Sequence, residues 1–300
     1  MKIKASRYEK KDYIGYLFLL PWIIGFLLFK FYPFLMSFYY SFTDFNMINP
    51  PELIGLKNFI KIFTTDADFY QSLKVTLIYT TFSVPVKLIF ALFIAMVLSM
   101  KLKGINIFRT IYYLPSILGG SVAVSILWKF LFMRQGLVNK ILSYLTIGPI
   151  DFLGDPDVAL YTISMLSVWQ FGSSMVLFLA ALKNVPGELY EAAAVDGAGK
   201  LRTFFKITIP MITPIILFNL IMQTINTLQT FTSALVITNG GPVKSTYLYG
   251  MMLYEEAFQF MNMGYASALS WILFIIIIGL TAAIFKFSSY WTFYEDGGDF

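Results

Sequence analysis

Asn219, Gln223, Asn226 and Thr230 interrupt an otherwise apolar stretch at spacings of four, three and four residues. On an α-helix these positions fall on one face. Side-chain amides offer donors and acceptors together, so such a stripe matches the hydroxyl groups of a sugar. It equally suits hydrogen bonds that join helices inside a membrane. Trp169 and Gln170 form a weaker pair: an indole can stack on a pyranose face, yet in a chain that is 18% aromatic it also serves packing. Bond-breaking chemistry has few parts to work with. The chain has no His and no Cys, so the commonest general base, thiol nucleophiles and thiolate metal sites are absent. Asp151, Asp155 and Asp157 make the one carboxylate cluster, in the turn-rich stretch GPIDFLGDPD. A membrane-embedded transferase would need such a cluster, but solvation of a loop explains it as well. No catalytic and no metal-binding residue is assigned.

The elements that must position these residues follow from composition. Hydrophobic residues make up 58% of the 300 and charged residues 13%, about half the usual charged share. Mean hydropathy is +0.71. Large water-facing catalytic domains and nucleic-acid readers are excluded, and an all-α integral membrane protein is expected. A helix needs about 20 apolar residues to cross a bilayer, and six runs qualify: 13–40, 73–100, 111–133, 158–182, 211–237 and 265–287. The first reads as a retained anchor, because it is too long for a signal peptide. Pro33, Pro85, Pro115, the Gly119 and Gly120 pair and Gly172 are expected to break or kink these spans. Lys and Arg are twice as frequent in the segments that are cytoplasmic if the N-terminus is inside, including Lys2, Lys4, Arg7, Lys101, Lys103, Lys200 and Arg202. That bias places both termini in the cytoplasm, and the acidic tail with Glu295, Asp296 and Asp299 does not weigh against it.

Lys87 stands about midway along the second span, two residues after Pro85. A charge at mid-membrane costs at least about 2.5–3.5 kcal/mol and calls for a role. Three are open. The ammonium pairs with a carboxylate on another chain, rests neutral against carbonyls freed by Pro85, or lines a cavity and meets a negatively charged saccharide.

The loop 183–210 differs from the others. Pro186 suits a first helical position and Glu188 and Glu191 suit a helix N-terminus. Ala192, Ala193 and Ala194 propagate the helix without bulk, and Asp196 with Gly197 stops it. A second short helix is expected over 200–206, with Pro210 opening the next span. A bare alanine face at a membrane surface suits insertion into a groove on another protein.

Glu191, Ala192 and Ala193, then Gly197, then Ile207, Thr208, Ile209 and Pro210, resemble the EAA signature of binding-protein-dependent ABC importer permeases. FRTIYYLPSILGG, VWQFGSSMVLFLAALKNVP, TNGGPVKSTYLY and MGYASALSWILF resemble the carbohydrate-uptake branch of that family. Ile209 stands where the family usually has Leu. The resemblance implies six transmembrane helices in the type I ABC importer permease fold. It also implies a bacterial-type inner or plasma membrane location. The chain then divides into 1–72, with the N-terminus, first helix and outer loop; a core permease domain, 73–287, that holds the coupling loop; and a cytoplasmic tail, 288–300.

The implied function is that of a sugar or oligosaccharide permease forming half of a pore beside a second homologous permease. Two ATP-binding cassette subunits would bind the EAA loop, with Glu191, Ala192, Ala193, Gly197, Ile207 and Pro210 as the coupling residues. An extracytoplasmic solute-binding protein would deliver the sugar. No G-x-x-x-x-G-K-[ST] stretch is present, so ATP and Mg are expected on the partner ATPase and no cofactor on this chain. Membrane lipid is an expected partner and nucleic acid is not. The helix after the EAA loop resembles a substrate-lining helix, which makes Asn219, Gln223, Asn226 and Thr230, with Lys87, Trp169 and Gln170, the path candidates. Alternatives are a permease of the same architecture for glycerol phosphate or for an acidic, uronate-containing oligosaccharide.

Overall fold

The structure, a computed structural model, describes residues 12–100 and 104–293. Among these the chain is all helical apart from one isolated β-bridge, between Thr43 and Leu53. The basic residues up to Lys11, Lys101 and Lys103, and the acidic tail lie outside the described residues.

In chain order the helices are α1 (Asp12–Phe26), α2 (Tyr32–Tyr40), α3 (Lys57–Thr64), α4 (Ala67–Ser99), α5 (Ile105–Leu118), α6 (Val122–Phe132), α7 (Leu137–Tyr144) and α8 (Pro156–Trp169). There follow α9 (Gly172–Asn184), α10 (Gly187–Val195), α11 (Lys200–Thr203), α12 (Ile209–Leu228), α13 (Thr232–Ile237), α14 (Tyr249–Tyr254) and α15 (Met263–Ser288). Four continuous helices are long and apolar enough to cross a membrane: Tyr16–Tyr40, Ala67–Ser99, Lys200–Leu228 and Met263–Ser288. Two further spans are bent pairs, α5 with the helical run Val122–Tyr144 at 102° and α8 with α9 at 47°. The six hydrophobic runs of the sequence correspond to these six, which makes the chain a multi-pass membrane protein.

The expected breaks divide sharply. Pro85 and Pro115 lie inside unbroken α4 and α5. A proline removes one backbone bond, and in an apolar surrounding the remaining bonds have no water to exchange with, so the helix persists. The glycines do break their spans. Gly120 has φ +77°, a left-handed value that stops α5.

The chain forms two compact units, each with its own packing. In the first, residues 12–65 with Tyr254–Leu273, Asn58 Nδ2 donates to the carbonyls of Ser41 and Thr43 at 3.0 and 2.8 Å. Phe34 and Phe38 both pack against Trp271 with ring centroids 4.8 Å apart, the first tilted and the second edge-on. A Cβ at Gly264 would stand 2.2 Å from the Thr43 carbonyl, so only glycine fits there.

The second unit, Asp66–Leu253 with residues from Phe274 onward, is built around α4. Asp66 caps that helix by accepting the amides of Asp68 and Phe69. Its C-terminal half packs Val84, Leu88, Ala91, Ile94, Ala95 and Leu98 on Phe171, Met175, Phe178 and Leu179 of the α9 region. The two alanines are fully buried, and their small size lets the backbones approach, which drives helix association where lipid is as apolar as Leu. Its N-terminal half packs Val75 and Tyr79 on Leu160, Ile163 and Leu166 of α8, and on Ala234 and Ile237 of α13.

Candidate functional site

Three helix interruptions meet in the second unit. The α5–α6 break sits at Gly119 and Gly120, the α8–α9 break at Gln170 and Phe171, and the α12–α13 break at Gln229, Thr230 and Phe231. Ser116 clips the first two together. Its hydroxyl donates to the Gln170 carbonyl at 3.0 Å and accepts the Ser173 amide at 3.1 Å. Backbone groups released by a break inside a membrane need such partners or a wet cavity. Gly172 completes the fit: a Cβ there would lie 2.8 Å from Ser116 Oγ, the Tyr112 carbonyl and Tyr113 Cα. Gly119 is close-packed too: a Cβ there would lie 3.1 Å from the Gln170 side chain.

Beside this junction lies a cavity of about 200 Å³ lined by Lys87, Ser116, Gly119, Ser167, Gln170, Ser173, Gln223, Asn226, Thr227 and Thr230. Every lining residue except Gly119 carries a polar side chain. A second space of about 180 Å³ shares Ser167, Gln170 and Thr230 with it and continues past Gln229, Ser233 and Tyr79. Ser233 and Ser83 hydroxyls sit beside the buried Tyr79 phenol, yet neither has a hydrogen-bond partner of ordinary geometry.

Five of the seven path candidates line the first cavity: Lys87, Gln170, Gln223, Asn226 and Thr230. Two do not. Asn219 is 1% exposed and its amide donates to the Ile215 carbonyl of its own helix at 3.1 Å. Trp169 is directed to Trp128, ring centroids 6.3 Å apart. The lining hydroxyls of Ser116, Ser167, Ser173 and Thr227 escape sequence reading, because Ser and Thr occur in every span. The one signal is position: Ser116 follows Pro115, and Ser173 follows Gly172.

The loop 183–210 forms α10 as expected, with one shift at its start. Pro186 is the capping residue, with ψ 129°, and Gly187 opens the helix. At the other end Gly197 has φ +69°. Its amide donates to the Ala194 carbonyl at 3.1 Å and the Ala198 amide to Ala193 at 2.8 Å, the paired bonds of a Schellman stop. Glu191 and Ala192 are exposed and Ala193 is buried. The expected separate helix over 200–206 is absent. Lys200 instead starts a helix that runs, through a wide turn at Phe204–Thr208, into α12. The wide turn lies just before Pro210, and a single i→i+5 turn of this kind is accommodated inside an otherwise continuous helix. Ile207 is half-buried beside Thr208, whose hydroxyl lies 3.1 Å from that of Tyr190 in α10. The coupling candidates therefore occupy α10, its stop and the root of α12.

A family model described as the binding-protein-dependent transport system inner membrane component matches residues 67–288. This chain belongs to that family. The permease is 49% identical over 297 residues to the probable ABC transporter permease protein YesP of Bacillus subtilis strain 168, covering 98% of this chain and 96% of that one. It is 32% identical over 279 residues to the trehalose/maltose transport system permease protein MalF of Thermococcus litoralis, covering 91% and 92%. Its fold matches a chain of a bacterial ABC transporter involved in the import of the acidic polysaccharide alginate. That match has a TM-score of 0.78 at 24% identity, covering 93% and 96%. The permease is a transport component and not an enzyme. Among the described residues no group of three or more His, Cys, Asp or Glu is placed to hold a metal ion.

Proposed function

We propose that the permease is a pore-forming subunit of an ATP-driven importer of oligosaccharides, and that the cavity at the three helix breaks is part of the sugar path. The observation that carries this reading is the cavity's lining of amides and hydroxyls, gathered from helices far apart in sequence. Such groups exchange hydrogen bonds with sugar hydroxyls at little net cost, which suits a site that must also release its solute. The sugar-permease name of the Thermococcus relative supports the same reading.

In this reading an extracytoplasmic binding protein delivers the sugar and a second homologous permease completes the pore. Two ATPase subunits, holding ATP and Mg, receive α10 through Glu191, Ala192, Ala193 and the Gly197 stop, with Ile207 and Pro210 fixing the loop to α12. Both termini face the cytoplasm. Residues 73–287 act as the transporting core, 1–72 as an anchor and outer loop, and 288–300 as a tail.

The test is uptake of labelled neutral and acidic oligosaccharides in cells that carry or lack this chain, with affinity purification of the complex. Loss of uptake on deletion, and recovery of an ATPase and a second permease with the tagged chain, are expected. Unchanged uptake of every oligosaccharide would sink the proposal.

A further inference from the structure

Lys87 is 8% exposed and is the single charged residue among those lining the 200 Å³ cavity. Among the described residues its ammonium has no hydrogen-bond or ion-pair partner. The sequence allows it none nearby: no Asp or Glu occurs in 69–150, 158–187 or 197–254, which together supply every element around the cavity. Nor does it donate to the carbonyl that Pro85 frees. A buried charge without a partner is costly, and a counter-charge brought from outside this chain would offset that cost.

We propose that Lys87 is the residue that selects an anionic solute, binding a single carboxylate carried by a uronic acid unit of the oligosaccharide. This rests on the reading of the cavity as a sugar path. The surrounding amides of Gln170, Gln223 and Asn226 suit the neutral hydroxyls of the same sugar. One lysine matches one negative charge. A phosphate ester carries about two charges, and this lining, with one cation, would leave part of that charge unmatched. Pairing with the anion also offsets the cost of burying the ammonium, a gain that the neutral analogue cannot supply.

The experiment uses cells with the whole importer and measures uptake of labelled oligogalacturonates, oligomannuronates and aldobiouronic acids. Each is compared with its carboxyl-reduced form, which differs only in bearing a primary alcohol. The expected result is preference for at least one acid over its reduced form. Lys87→Gln should lower that acid-to-neutral ratio about tenfold or more, the worth of a charge-assisted hydrogen bond, and Lys87→Arg should restore most of it. A ratio unmoved by Lys87→Gln, or import of reduced forms alone by the native chain, overturns the inference and leaves the sugar-path reading standing. Failure of the Lys87→Gln chain to copurify with its partner permease overturns it too, because the charge then serves assembly. Uptake of neither acids nor reduced forms would count against the oligosaccharide reading itself, and the inference falls with it.

Discussion

The Ser116 hydroxyl donates to the Gln170 carbonyl at 3.0 Å, joining two broken spans across 54 residues of sequence. The same oxygen accepts the Ser173 amide, so one small side chain serves both ends of the α8–α9 break. Ser116→Ala removes both bonds and leaves a carbonyl and an amide unpaired. The expected loss is about 1–3 kcal/mol, read as a lower melting temperature of the purified complex. An unchanged melting temperature would show that water satisfies the break unaided.

Gly172→Ala tests the closeness of the same junction. Its Cβ would press on the backbone of Tyr112 and Tyr113, which cannot rotate away as a side chain could. Overpacking of this kind costs about 1–3 kcal/mol. Gly25→Ala, where a Cβ meets nothing within 4 Å, should be tolerated in the same thermal assay. Equal behaviour of the two variants would refute the close approach.

Gly197→Val places a branched residue at φ +69°, a conformation costing L-residues about 1–2 kcal/mol. No neighbouring atom lies within 4 Å of the new Cβ, so the effect is on the backbone of the α10 stop alone. Membrane insertion should persist while ATPase docking and substrate-stimulated hydrolysis fall. Glu191→Lys should act in the same direction through its exposed charge. Normal transport in both would remove α10 from the coupling role.

Gln223→Leu and Asn219→Leu separate path from packing on one helix. The cavity-lining amide should matter to uptake, by roughly two- to tenfold for one hydrogen bond. The Asn219 amide, bonded to its own helix, should leave uptake of the same labelled sugar nearly native. The reverse ranking would place the solute elsewhere.

A cysteine replacing exposed Lys200 should react with an impermeant thiol reagent in inverted vesicles and not in intact cells. Labelling from outside intact cells would reverse the proposed orientation.

The spans were legible from the sequence alone, because a run of apolar residues long enough to cross a bilayer has few alternatives in water. So was the α10 stop at Asp196 and Gly197, since a left-handed helix end selects glycine locally. The period of the helix also placed Gln223 and Asn226 on one face with Asn219, whereas Thr230 falls in the break that follows α12. What that face meets is another matter, because periodicity relates neighbours on one helix and says nothing of the helix opposite. Only the tertiary packing buried Asn219 against the Ile215 carbonyl, sent Trp169 to Trp128, and brought Lys87 of α4 to the amides of α12. Likewise Gly119, Gly120 and Gly172 announced two breaks, but the meeting of those breaks through Ser116 depends on how α5, α8 and α9 pack. Contacts between residues distant in sequence are decided by the shapes of whole helices, and so the cavity belongs to the fold.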